Sequence, residues 1–199
     1  MKSIQTQIKN ELQESSDVKL KMAESIVDSI REAVESVIRA FQSGGKVLLC
    51  GNGGSAADSQ HIAAELVGRF RLDRKGMPAI ALTTDTSILT SVANDYGYED
   101  VFQRQVEALG ERGDVLIGIS TSGQSQNVIL AMEKAREIGM VTIALIGEKR
   151  GPMAEGADVV VSIPSTATPR IQEGHITFGH ILCDLVERHF YESEEGSPS

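Results

Sequence analysis

Five short, almost wholly apolar runs occupy the middle of the chain, at 46–50 (KVLLC), 78–82 (PAIAL), 114–119 (DVLIGI), 140–146 (MVTIALI) and 158–163 (DVVVSI). A strand with one wet face alternates apolar and polar residues. These runs do not alternate, so they read as parallel strands covered on both faces. Helical patterns fall between and after them, near 55–68, 86–93, 99–109, 125–138 and 170–191. Parallel neighbours require crossover connections of one hand. The expectation is therefore an α/β fold with a doubly wound, five-stranded parallel sheet.

Residues 1–43 read as a helical pair. Ile4, Ile8 and Leu12 form one stripe, and Ile26, Ile30, Val34, Val37, Ile38 and Phe41 a longer one. Asp17 is read as the cap of the second helix, which Gly44 and Gly45 end. A compact α/β core rarely needs so long a cover, so 1–43 is assigned to oligomerisation and 44–192 to the core. The polar residues 193–199 are expected to be a disordered tail. With 199 residues, the chain suits one domain with an extension. A formal net charge of −9 argues against a nucleic-acid partner. Cys50 and Cys183 lie too far apart in sequence for a CxxC site. No stretch reaches 18 apolar residues and the N-terminus has no signal-like apolar core, so no membrane is expected and the cytoplasm follows by default.

In doubly wound sheets ligands gather beyond the carboxyl ends of the strands. The loops after Cys50 and Ile119 are the places to look. After Ile119 come Ser120, Thr121, Ser122, Gly123, Gln124 and Ser125, then an amphipathic helix. Clustered hydroxyls and the free N–H groups of a helix N-terminus suit a phosphate. The plainer reading makes Ser125 an ordinary N-cap. After Cys50 come Gly51, Asn52, Gly53, Gly54 and Ser55. Glycines admit a ligand close to the backbone, and Ser55 is placed to cap the next helix. No Gly-Lys-Ser/Thr follows, and Ala56 stands where a dinucleotide fingerprint needs glycine, so no nucleotide cofactor is expected.

On the helix after that loop, His61, Glu65 and Arg69 share a face, since steps of four rotate by only about 40°. His61 and Glu65 could chelate a metal, or Glu65 could act as a general base. Arg69 could hold an anion or pair with Glu65. The last helix carries Gln172, His175 and His180, and wheel geometry does not choose between the histidines. Asn94 and Asp95 form a polar turn that either binds sugar hydroxyls or merely ends a helix.

The strings CGNGGSAADSQHIAAELVGRF, SVANDYGYEDVFQRQVEALG, GDVLIGISTSGQSQNV and RIQEGHITFGHILCDLVE resemble the sugar isomerase (SIS) domain family, and within it the isomerases of seven-carbon sugar phosphates. The resemblance runs from about 46 to 187. It implies a flavodoxin-like sheet and a homotetramer with active sites at subunit boundaries. It implies one zinc ion per site on His61, Glu65, Gln172 and His180, leaving His175 structural. Ser120, Thr121, Ser122 and Ser125 would hold the phosphate of a sugar-phosphate substrate. Asn52, Gly53, Gly54, Ser55, Glu65, Arg69, Asn94, Asp95 and Gln172 would contact the rest of it. Glu65 would be the base and His180 the acid of an aldose–ketose isomerisation through an enediol. The competing reading is a non-catalytic SIS module that binds phosphosugars or associates with a replication initiator.

Overall fold

The computed structural model describes residues 3–192. The tail expected at 193–199 lies outside the described residues. Helices α1 (Ile4–Ser25) and α2 (Val27–Gln42) precede β1 (Val47–Gly51), α3 (Gly54–Val67), β2 (Ala79–Ala81), α4 (Thr86–Asp95) and α5 (Gln103–Leu109). Then come β3 (Val115–Ser120), α6 (Gln126–Ile138), β4 (Val141–Gly147), the short α7 (Pro152–Glu155), β5 (Val159–Ile163) and α8 (Thr168–Tyr191). All strand pairs are parallel, in the order β2-β1-β3-β4-β5. The chain moves outward from β1 to β2 and then returns to β3 on the other side of β1. That reversal is the switch point of the sheet. Gly51 pairs in register with Ile119, so the loops after β1 and β3 leave the sheet side by side.

Side chains alternate between two apolar layers. Val47, Leu49, Ile117, Ile143, Leu145, Val161 and Ile163 face α1, α2, α3 and α8. Leu48, Cys50, Leu116, Ala144 and Ile146 face the other side, with Phe102, Val106, Val128 and Met132. This double cover is why the strand sequences read as continuous apolar runs. Truncating one of the fully buried leucines costs about 2–5 kcal/mol. Both cysteines are free and buried, and burial pushes each thiol up to about 12.

Local detail departs from the sequence reading in three places. The first helix runs past Asp17 and breaks only at Ile26; Asp17 instead accepts from Gln13 Nε2 at 2.8 Å within α1. The longer stripe is covered by the chain's own core: Ile30, Ala33, Val34, Val37 and Ala40 are buried, while Ile4, Ile8 and Leu12 stay exposed. Strand β2 is only three residues long, with Ile80 at the sheet's outer edge half-open to solvent. No helix among the described residues is long and apolar enough to cross a membrane.

His175 is fully buried in α8, and neither ring nitrogen closes a hydrogen bond. Burial lowers its pKa to about 4, although the nearby Ile146 backbone pulls the other way. The folded protein therefore resists a proton that the unfolded chain accepts. Between the ordinary value of 6.5 and about 4, the unfolded state binds more protons, so stability falls as pH falls through that window. The full loss is about 3 kcal/mol. Denaturant melts from pH 7.5 to 4 should show this extra loss in the wild type and a flatter profile in His175→Leu.

Candidate active site

The hydroxyl loop closes on itself at the carboxyl end of β3. Ser120 Oγ lies 2.9 Å from Ser125 Oγ and 3.4 Å from Ser122 Oγ, and Ser122 Oγ accepts from Gln124 N–H at 3.2 Å. Ser125 occupies the N-cap position of α6 without making a side-chain cap bond. Its hydroxyl is turned to Ser120 instead, against the ordinary-cap reading. Beside the loop lies a cavity of about 170 Å³, lined by Thr121, Ser122, Gln124, Lys149, Ser165, Thr166, Thr168 and Ile171. The uncapped α8 opens toward it through Thr168, while the uncapped start of α6, at Ser125, Gln126 and Asn127, lines a neighbouring cavity with Asn52 and Tyr98. Hydroxyls, a helix N-terminus and the Lys149 ammonium give this pocket the chemistry to take an anion.

The glycine loop leans on this one through paired amides. Asn52 Nδ2 donates to Asn127 Oδ1 and Asn127 Nδ2 donates to Asn52 Oδ1, both at 2.9 Å; Tyr98 Oη also donates to Asn52 Oδ1, at 3.1 Å. The Asn52 side chain is thus engaged in joining the two loops. Ser55 is buried inside α3 and does not cap it; Gly53 holds that position. Gly54 packs against the amide of Gln172, and a Cβ added there would collide with it.

Further along, α3 and α8 meet again. Gly179 lies so close to Ile62 that a Cβ would stand 2.7 Å from its side chain. One residue on, His180 Nε2 is 3.3 Å from His61 Nε2, and His61 Nε2 is 3.1 Å from Glu65 Oε1. His61 is the hub, contacting Glu65 and His180 separately. Among the described residues no three His, Cys, Asp or Glu side chains close into a metal cage. The two separations nevertheless match the edge of a zinc tetrahedron with bonds near 2.0–2.1 Å, about 3.3 Å. Two imidazoles and a carboxylate are donors whose chemistry suits such an ion, although the three do not close around one point in the protomer. Gln172 stands eight residues before His180, about 12 Å along the helix, and points to Gly54.

The other named residues are spread more widely. Arg69 is exposed just beyond α3 and does not pair with Glu65, whose ion-pair partner is His61. Asn94 donates to Asp95 at 2.8 Å at the exposed end of α4, a helix with no buried residue. Ile171 lines the anion cavity, and His180 is nine residues on, about 14 Å along α8. Anion pocket and imidazole cluster are therefore separate features of one protomer. Sequence reasoning missed Asn127, Lys149, Ser165, Thr166 and Thr168. Lys149 and Ser165 follow the carboxyl ends of β4 and β5, where the general rule for such sheets would have pointed. It also missed Asp58, whose half-buried carboxyl is pushed up by burial against the opposing pull of His61.

The chain matches the SIS domain model over residues 12–147. It is 55% identical over 188 residues to phosphoheptose isomerase of Clostridium acetobutylicum, covering 94% of this chain and 95% of that protein. The chain belongs to the phosphoheptose isomerase family. Two solved structures of phosphoheptose isomerases superimpose on it. That from Neisseria gonorrhoeae has a TM-score of 0.88 and 44% identity, covering 93% of this chain and 99% of that one. That from Francisella tularensis has a TM-score of 0.90 and 35% identity, covering 94% and 100%. In this phosphoheptose isomerase family member, Gly54→Ala isolates the Gly54–Gln172 contact. Alanine is the better helix former by about 0.5–1 kcal/mol, so the melting temperature should hold or rise. Displacing Gln172 should lower kcat/KM about tenfold or more, measured on the folded variant.

Proposed function

We propose that the chain interconverts sedoheptulose 7-phosphate and D-glycero-D-manno-heptose 7-phosphate through an enediol. The observation that carries this is the meeting of His61, Glu65 and His180 across α3 and α8, in a chain whose relatives bear that enzyme's name. The phosphate is assigned to the Ser120–Ser125 loop with Lys149 beside it. Glu65 Oε1 faces His61, and Oε2 is free to take the C1 proton. His180 then protonates the C2 oxygen. Glu65 returns the proton to C2 as His180 takes back a proton from the C1 hydroxyl, leaving the aldehyde and restoring both groups. One zinc ion on His61, Glu65 and His180 would when bound polarise the substrate oxygens and stabilise negative charge on the enediolate; Gln172, held about 12 Å along α8 against Gly54, is not within reach of it in the same protomer. The same residues argue against the non-catalytic reading, which requires neither a carboxylate nor an imidazole there. Free buried thiols agree with a cytoplasmic setting.

The assembly we infer is a homotetramer with active sites at subunit boundaries. Three features support it: the exposed Ile4, Ile8 and Leu12 of α1, the unburied α4 with exposed Tyr96 and Tyr98, and the gap between anion pocket and imidazole cluster. A neighbour's cluster would complete each pocket.

Incubation with sedoheptulose 7-phosphate, followed by NMR, should yield the aldoheptose phosphate. Glu65→Gln should keep its fold and lose turnover at least roughly 100-fold, and near-normal turnover would remove Glu65 as the base. Chelation should abolish conversion and added zinc restore it. Mixing subunits of Glu65→Gln with a Ser120→Ala/Ser125→Ala variant, after dissociation, should regain activity that neither possesses alone. No regain would place each site within one protomer.

A further inference from the structure

Between α3 and β2 the chain runs through a strap, 68–78, with no helix or strand. One carboxylate on α8 organises it. Glu187 Oε1 accepts from Arg71 N–H at 2.7 Å and Leu72 N–H at 2.8 Å; Oε2 accepts from Phe70 N–H at 3.0 Å and Arg74 Nε at 2.8 Å. Both charged side chains are 1% exposed. Arg74 in turn donates to the carbonyls of Leu66 at 2.8 Å and Glu65 at 3.0 Å. Those carbonyls belong to the last turn of α3, where helix geometry provides no partners. The strap so fixed carries Phe70, whose ring lies 5.7 Å from that of His180, tilted by 38°. One buried ion pair thus touches both halves of the imidazole–carboxylate cluster, the Glu65 backbone directly and the His180 ring through Phe70.

We propose that Glu187, with Arg74, is a positioning residue for the isomerisation, holding the strap so that Phe70 sets the His180 ring and the end of α3 sets Glu65. A buried ion pair serving stability alone would anchor to any convenient loop. This one is spent on the segment that covers the acid and on the main chain of the base. The anion pocket, at the other end of α8, receives nothing from it. The expected signature is a loss in turnover without a loss in binding.

The proposal rests on the isomerase reading, and the test separates the two. Glu187→Gln and Phe70→Leu are prepared with their metal content measured. The His180 ring resonance is followed in histidine-labelled protein, assigned with His180→Gln, and the buried His175 signal serves as an internal control. Both variants should lower kcat per folded protein roughly 10- to 100-fold, the range for outer partners of a site, with KM within about twofold. Both should shift the His180 signal and spare His175, and the double variant should be no slower than Glu187→Gln. Removing one partner of a buried pair is strongly destabilising; if Glu187→Gln fails to fold, Phe70→Leu decides alone. Wild-type kcat in folded Phe70→Leu, or an unmoved His180 signal in every folded variant, overturns the proposal. Absence of turnover in the wild type strikes the isomerase reading, and the His180 shift still reports separately whether the strap sets that ring.

Discussion

The close packing of α3 against α8 is the constraint from which the site follows. The two helices run parallel: Gly54 meets Gln172, Ile62 meets Gly179, and Phe70 at the far end meets the Glu187 carboxylate. Hydrogen at position 179 lets the helices approach, and that approach brings two imidazole nitrogens to 3.3 Å. A side chain there would collide with Ile62 and press on the spacing that holds His180 beside His61. Chemistry-bearing residues more than a hundred positions apart in sequence are thereby held by backbone proximity rather than by long, mobile side chains.

The sheet determines the rest of the placement. Because β1 and β3 end in register, the glycine and hydroxyl loops emerge together, and the Asn52–Asn127 amide pair fastens them. The cavity wall then comes from the next two strand ends, through Lys149 and Ser165. The polar cavity and the imidazole–carboxylate cluster lie on different parts of α8, its N-terminus and its middle. In the proposed assembly a second copy of the chain would unite them.

The strands were legible because double burial leaves an unbroken apolar signature, and five runs read from sequence are five strands in the structure. The helix break at Ile26 was not legible, since no glycine or proline marks it. Nor was α7, four residues long and set between Gly151 and Gly156. The contact of His61 with Glu65 followed from helical spacing alone. His180 could not be told from His175 on a wheel, because both faces of α8 carry apolar neighbours; burial distinguishes them, one ring sealed and the other open to His61. Lys149 escaped notice because the residues that share its cavity come from two other loops and the start of α8.

Helices α1 and α4 begin with side chains that close their first turns, Ser3 and Asp85. Helices α3, α6 and α8, whose first turns surround the two loops and the cavity, begin with none. A missing cap weakens a helix by about 1 kcal/mol; α2, α5 and α7 lack one too, so the deficit is spread through the fold and includes the three helices that begin at the loops and cavity. An anion seated there does for these helices what a serine or aspartate does elsewhere. On the proposed function, a substrate phosphate seated there would also stiffen the helices it touches, so that occupancy and rigidity rise together.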